Sequence, residues 1–137
     1  MISQGARANK SGKELERNVE SILNALGIPF LAQVKFTNCY GNPGSKMDFY
    51  LPTLDVAVEC KYQNTAGTAD QKLPFVLEDL ALFPASHGLI ILDGKHYLES
   101  PYIQYYLNRK LSPTFSWVFL HNFGAWLIEQ TNSRKAP

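Results

Sequence analysis

An acid and a base stand two residues apart in a stretch that has the pattern of a β-strand. The stretch is VAVECKYQ, residues 56–63, in which apolar and polar residues largely alternate. Because residues two apart in a strand point to the same side, Glu59 and Lys61 share its polar face. This arrangement indicates either a solvated outer face or a catalytic centre, and the neighbouring segments must decide between the two.

The preceding stretch, KMDFYL at residues 46–51, predicts a second strand that forms an antiparallel hairpin with the first. A turn about Thr53 and Leu54 places three apolar pairs on one side of this hairpin. A slip by one residue would break the match, so the buried face defines the register. The three predicted pairs are Met47–Cys60, Phe49–Val58 and Leu51–Val56.

The same register places Asp48 directly opposite Glu59. Two carboxylates in opposite positions of a sheet repel each other, and a cation held between them reverses the sign of that interaction. Oxygen ligands suit Mg²⁺, with Mn²⁺ as a substitute, whereas the polar face offers no sulfur or imidazole of the kind that zinc prefers. We expect Lys61 to contact a water bound to that metal. Lys46 would face Lys61, so one of the two lysines is turned aside or bound to a phosphate.

Helices and strands are predicted to alternate around this hairpin. Ser11 and Glu14 form a capping box, which indicates the start of a helix that ends near Gly27. The run GLIILD at residues 88–93 is typical of a strand buried on both faces. The predicted order is α-β-β-β-α-β-α-β-α, an α/β fold with a mixed central sheet flanked by helices. The remaining predicted elements are strands at residues 30–36 and 115–120 and helices at residues 74–82, 101–111 and 123–130.

These residues resemble the PD-(D/E)XK nuclease superfamily. Its motif is an acid on the first helix, then Asp, then Glu-x-Lys on consecutive strands, and the matching residues are Glu16, Asp48 and Glu59 to Lys61. The order of elements in residues 11–93 matches the restriction-endonuclease-like core, α-β-β-β-α-β, and leaves a C-terminal α-β-α extension. SGKELERNVESILNALGI and GSKMDF look particularly like archaeal Holliday-junction resolvases, whereas GTADQK looks more like phage and restriction-type members.

The resemblance implies a role for each charged residue. Asp48 and Glu59 would hold the metal ion, together with the main-chain carbonyl of Cys60. Lys61 would orient the attacking water and stabilise developing negative charge. Glu16 would support a second metal ion or hold a metal-bound water.

The helical acid of the site stays open between three residues. Glu14 is explained by the capping box. Glu16 and Glu20 lie one turn apart on the same side of the helix, so their roles are exchangeable. The preceding glycine, at the spacing of the resolvases, favours Glu16.

Five further polar residues are candidates for contact with the substrate. Gln63 continues the polar face and would contact a phosphate or a metal-bound water, or else is an ordinary strand-end amide. Ser45 and Lys46 lead into the Asp48 strand and are candidates for binding DNA phosphates, although the serine can equally close a glycine turn. Gln71 and Lys72 precede the second helix, where they contact the DNA backbone or form a polar turn.

Length and composition fit a single nuclease domain over residues 1–137. The basic residues 1–10 and the tail at residues 131–137 are expected to be flexible. The net charge of +1 is weak support for a polyanionic partner. No apolar run reaches the length of a membrane span, and the first residues lack the apolar core of a signal peptide, so a cytoplasmic location without membrane contact is expected.

Together the sequence predicts a divalent-metal-dependent DNA endonuclease of repair, recombination, restriction or a phage life cycle. Cleavage of Holliday junctions or other branched DNA competes with sequence-specific cutting of the restriction or homing type. A non-catalytic DNA-binding module on the same fold, or a plain globular domain with a solvated strand face, are the alternatives from other classes. Because cutting two strands needs two active sites, a homodimer or higher homo-oligomer is expected.

Overall fold

A computed structural model describes residues 4–65 and 67–135, with side chains from residue 12 onward except those of residues 68, 69 and 135. The helices are α1 (Gln4–Ala25), α2 (Leu73–Leu82), α3 (Lys95–Glu99), α4 (Pro101–Asn108) and α5 (Leu120–Lys135), with a short 3-10 helix at Thr68–Lys72. The strands are β1 (Leu31–Phe36), β2 (Ser45–Leu51), β3 (Val56–Tyr62), β4 (His87–Asp93) and β5 (Phe115–Phe119).

The five strands form one mixed sheet in the order β1-β2-β3-β4-β5. β1, β2 and β3 pair antiparallel, and β3, β4 and β5 pair parallel. Residues 88–92 of β4 are all buried, because this strand has neighbours on both edges and helices over both faces. The predicted α/β class with a mixed sheet flanked by helices is therefore confirmed.

The sheet separates two apolar cores. The core under α1 and α5 joins helical residues such as Leu15, Leu23 and Phe123 to the strand residues Phe49 and Val58. The core under the other helices joins a second set, whose buried members are Met47, Ala57, Val76, Leu80, Phe83, Ile90, Leu92, Tyr97, Leu107 and Phe115. Helix α1 therefore packs on the sheet through one apolar stripe, and its polar residues at the edge of that stripe reach the neighbouring strands.

Helix α1 begins at Gln4 rather than after Ser11, so the capping-box prediction is wrong. The residues before Ser11 include Gln, Ala, Arg and Lys, which favour helix, and no proline interrupts them. Residues 4–10 of the expected basic N-terminus thus belong to α1, and residues 1–3 lie outside the described part of the chain. At the other end α5 continues to Lys135, and residues 136 and 137 lie outside it.

Two short helices were not predicted. The polar segment between β3 and α2 contains the 3-10 helix at Thr68–Lys72, and α3 at Lys95–Glu99 follows β4 directly. Nε2 of His96 in α3 lies 2.7 Å from Oδ2 of Asp70, so a hydrogen bond joins the two short helices. Among the described residues, no helix is both long and apolar enough to cross a membrane.

Candidate active site

The candidate site lies where β2 and β3 separate. The ladder between these strands runs from Leu51↔Val56 to Phe49↔Val58, in the register that the apolar face predicts. Beyond that pair, side chains replace main-chain partners: the Asp48 N–H donates to Oε1 of Glu59 at 3.2 Å, and the Cys60 N–H donates to Oδ2 of Asp48 at 2.8 Å. Each carboxylate thus accepts a hydrogen bond from the opposite strand, and both are held at the opening between the two strands.

A distortion in β1 lies beside this opening. The β1–β2 ladder includes Ala32↔Phe49 and Val34↔Met47 but skips the intervening Gln33 and Asp48. Gln33 has a φ of 55°, a left-handed conformation that non-glycine residues rarely adopt. A residue in that conformation interrupts the regular pleat, which frees Asp48 from pairing with β1.

Two predictions about the hairpin are wrong as a result. Met47 is fully buried in the core under α2, whereas Cys60 packs against the core under α1, so the predicted Met47–Cys60 pair does not form. Lys46 pairs with Lys35 of β1, and the predicted pairing with Lys61 does not form because the β2–β3 ladder ends at Phe49↔Val58. Strict alternation fails here because the ladder is broken on both sides of Asp48.

Helix α1 contributes Glu16 to the same place. Its Oε1 accepts a hydrogen bond of 3.1 Å from Nε2 of Gln33. Burial, and then the charge of Asp48, raise the pKa of the Glu16 carboxyl, so these two acids are close neighbours. Glu14 is exposed on the helix, and Glu20 acts on Glu16 only as a more distant negative charge. Of the three candidate helical acids, Glu16 is the one that the fold brings to Asp48.

The site carries more negative charge than its own cation balances. Burial, and then the charge of Asp48, raise the pKa of Glu59 from 4.5 to about 8. Burial also raises the pKa of Asp48, against the opposing effects of the Cys60 N–H and Lys61. Lys61 forms an ion pair of 3.7 Å with Glu59. Two carboxylates that are desolvated and mutually repelling are the arrangement that a divalent cation stabilises.

The donor set suits a magnesium-sized ion better than a softer metal. In the described part of the chain, no three His, Cys, Asp or Glu side chains form a ready-made metal cluster. Mg²⁺ needs no such cluster, because it is commonly held by one or two carboxylates and keeps several waters. Asp48 and Glu59 are the side chains that would hold it, and nearby Glu16 would accept hydrogen bonds from its waters.

The other predicted residues are exposed or make contacts outside the pair of carboxylates. Nε2 of Gln63 donates to the main-chain oxygen of Thr65 at 2.6 Å, a contact that directs its amide along the chain rather than to the carboxylates. Lys46 is exposed, and the half-buried Ser45 opens β2 opposite Phe36. Gln71 and Lys72 are exposed at the end of the 3-10 helix.

Two residues at the site were missed from the sequence. Gln33 of β1 donates to Glu16 and lies beside Asp48 in the sheet, a position that only the pairing of β1 with β2 indicates. Asp79 of α2 accepts a hydrogen bond of 2.9 Å from the main-chain N–H of Cys39, and its charge adds to the raised pKa of Glu59. No local spacing links Asp79 to β3, because α2 meets that strand only through the tertiary fold.

The mixed sheet has helices on both faces and opens beside Asp48, Glu59 and Lys61. This is the arrangement of a restriction-endonuclease-like domain. The family model that describes a PD-(D/E)XK nuclease superfamily domain matches residues 7–101, and the chain belongs to that superfamily. Comparison with curated proteins and with solved structures found no match. Superfamily membership implies nuclease chemistry, which generally uses a divalent metal. The closer resemblance to Holliday-junction resolvases or phage enzymes stays a prediction.

Proposed function

We propose that this protein is a divalent-metal-dependent endonuclease that hydrolyses phosphodiester bonds of DNA. The observation that carries the proposal is the pair of desolvated carboxylates, Asp48 and Glu59, at the opening between β2 and β3, with Lys61 3.7 Å from Glu59. A solvated strand face does not account for this arrangement, because both acids are turned into the sheet and their charge is poorly compensated.

Each side chain has a distinct task in this proposal. When bound, a Mg²⁺ ion supplies Lewis-acid stabilisation of the phosphate and a more acidic water. Asp48 and Glu59 hold that ion, with the main-chain carbonyl of Cys60 as a further oxygen. The ammonium group of Lys61 orients the attacking water and offsets negative charge that develops on the phosphate. Glu16, fixed by Gln33, accepts a hydrogen bond from a water on the α1 side.

The DNA backbone is proposed to follow the lysines of β1 and β2. Lys35 and Lys46 are opposite each other, both exposed, and neither lies within 4.0 Å of a carboxylate among the described residues. Like charges opposite each other destabilise a sheet, and a phosphate between them reverses that effect. Ser45 precedes Lys46 and adds a hydroxyl donor, and Gln71 with Lys72 offers a second contact with the backbone.

Cleavage assays test the catalytic proposal. We expect Mg²⁺ or Mn²⁺, but not Ca²⁺ or EDTA, to support cutting of at least one member of a panel of linear duplex, flap, four-way junction and single strand. Asp48→Asn and Lys61→Met are expected to abolish it, whereas Glu14→Gln, a change at an exposed acid of α1, is the matched control. Equal cleavage by all four proteins would assign the activity to a contaminant and overturn the proposal.

The same panel decides between the finer alternatives. We propose selectivity for branched DNA, because SGKELERNVESILNALGI and GSKMDF resemble segments of Holliday-junction resolvases. Preference for one duplex sequence would instead favour the restriction-type alternative, and metal-independent binding without cutting would favour the non-catalytic module. We also propose a homodimer, since two cuts in opposite strands need two sites; sedimentation measurements test this.

A further inference from the structure

Two aromatic rings are exposed together at the surface. Tyr40, in the loop between β1 and β2, is 72% exposed, and Phe75, in the first turns of α2, is 42% exposed. Their ring centroids lie 5.4 Å apart, with an angle of 42° between the ring planes. Single exposed apolar residues are normal at a protein surface, but two rings in contact with each other and open to solvent form a platform for a third.

The loop that carries Tyr40 is fixed by hydrogen bonds. Oδ1 of Asn38 accepts from the main-chain N–H groups of Tyr40 at 2.9 Å and Asn42 at 3.0 Å. Oδ1 of Asn42 accepts from the Gly44 N–H at 2.8 Å. The neighbouring Cys39 N–H is bonded to Asp79 of α2. A loop held in this way loses little main-chain freedom when a ligand stacks on the Tyr40 ring.

The aromatic pair is close to the catalytic site. Phe75 and Asp79 are four residues apart on one face of α2, a separation of about 6 Å along the helix. Helix α2, which carries Asp79, also contacts β3, which carries Glu59. The Tyr40 loop also leads directly through Ser45 into β2, which carries Asp48. A strand of DNA in the site would therefore pass the two rings within a few nucleotides, at about 3.4 Å per base along the helix axis.

The surroundings of the pair favour a base over a protein partner. The loop around Tyr40 consists mainly of Asn, Gly and Cys, and Glu78 of α2 is exposed and polar. A stable protein interface needs roughly 800 Å² on each partner with an apolar centre, which two rings in a polar setting do not supply. Stacking of one base needs only an aromatic face and a nearby cation for the backbone, and the exposed Lys72 lies one turn before Phe75.

We propose that Tyr40 and Phe75 stack on an unpaired base close to the scissile phosphate, so that the enzyme prefers DNA that is unpaired there. This inference rests on the proposed nuclease function and adds the class of substrate that the site selects. A fully paired duplex keeps its bases stacked on one another, whereas a flap, gap or junction offers an unstacked base at low cost. The pair thus acts as a specificity determinant rather than as part of the catalytic machinery.

The test compares binding of two oligonucleotides of equal length, in EDTA so that no cleavage occurs. Both carry 2-aminopurine, in one as an unpaired base of a gap and in the other within continuous duplex. We expect the wild type to bind the gapped probe more tightly and to quench its fluorescence. Tyr40→Ala is expected to reduce this preference about 10-fold, Tyr40→Phe to retain it, and Tyr102→Ala, at an exposed tyrosine of α4, to leave it unchanged.

Three results with the variants would overturn the inference. The first is an equal preference in the wild type and Tyr40→Ala, and the second is loss of the preference in Tyr102→Ala as well. The third is a change of sedimentation mass in Tyr40→Ala with unchanged probe binding, which would assign the rings to contact between copies of the chain. If the wild type quenches the gapped probe but never cuts DNA with Mg²⁺, the nuclease proposal fails, and the two rings bind an unpaired base without selecting a cleavage site. If the wild type cuts DNA but shows no preference for the gapped probe, the nuclease proposal stands and the stacking inference fails.

Discussion

Replacing Glu59 by glutamine should stabilise the metal-free protein while abolishing cleavage. The pKa of Glu59 is raised from 4.5 to about 8. Each tenfold change in proton affinity corresponds to about 1.4 kcal/mol, so ionising this carboxyl is about 5 kcal/mol less favourable in the folded than in the unfolded chain. Its side chain is only 12% exposed, so solvent screens this cost little. Glutamine removes the charge and keeps an oxygen that accepts the Asp48 N–H.

The expected gain in the free energy of unfolding is smaller than the full cost of ionising Glu59. The new amide group brings two N–H donors into a buried place, and leaving them unsatisfied costs about 1 to 3 kcal/mol. We therefore expect Glu59→Gln to raise the free energy of unfolding by about 2 to 4 kcal/mol at pH 9 in EDTA. The effect also has a defined pH dependence. Between pH 4.5 and about 8 the folded wild type retains a proton that the unfolded chain releases, so its stability falls as pH rises through this window.

Urea unfolding at pH 5, 7 and 9 in EDTA measures both effects, with Glu14→Gln as the control at an exposed acid. The difference between Glu59→Gln and the wild type should be smallest at pH 5 and largest at pH 9. Added Mg²⁺ should stabilise the wild type and narrow the difference, because it binds the folded wild-type site. A variant less stable than the wild type at pH 9 would refute the view that uncompensated charge dominates this site.

Three further changes probe separate parts of the structure. Lys61→Met should lower cleavage at least about 100-fold while Mg²⁺ still raises the unfolding midpoint; active protein would exclude the lysine from the reaction. Gly94→Ala should cost more than about 3 kcal/mol in urea unfolding, because the residue has a φ of 100° and a Cβ would clash with the main-chain oxygen of Gln63. Gly124→Ala in α5 should instead gain up to about 1 kcal/mol. Asp55→Ala should cost about 1 to 3 kcal/mol at pH 7, because Tyr50 donates to its carboxylate at 2.7 Å. That bond lowers the pKa of Asp55, so the difference from wild type should shrink as pH falls below 3.8, and a constant difference would contradict this reasoning.

The part of the hairpin next to its turn could be predicted because apolar residues define its register. A buried face with period two fixes the pairing of Phe49 with Val58 and of Leu51 with Val56, and the structure has both pairs. The meeting of Asp48 with Glu59 follows from the same register. The hairpin alone cannot reveal how they meet, because it gives no sign that the strands part at this point and that the carboxylates take over as hydrogen-bond acceptors.

The errors arise where tertiary neighbours override a local pattern. Gln33 of β1 is in a left-handed conformation. In the neighbouring part of β2, the side chain of Met47 lies on the other face of the sheet from the one predicted and is buried under α2. The capping box at Ser11 has the right residues, but a helix continues through such a site when its flanks also favour helix. Tyr40 attracts no notice in a loop of Asn and Gly, and only its contact with Phe75 distinguishes it.

The opening between β2 and β3 also decides which variants give clear results. Each acid serves as a hydrogen-bond acceptor for the opposite strand: Asp48 for the Cys60 N–H and Glu59 for the Asp48 N–H. An alanine at either position removes the charge and also leaves a main-chain N–H without its partner, at a cost of about 1 to 3 kcal/mol. Loss of activity in an alanine variant therefore mixes lost metal binding with a displaced strand. Amide variants keep the acceptor, so Asp48→Asn and Glu59→Gln should retain the geometry of the opening and lose only the charge. If the amide variants are inactive yet at least as stable as the wild type, the carboxylates are retained for their charge rather than for the fold.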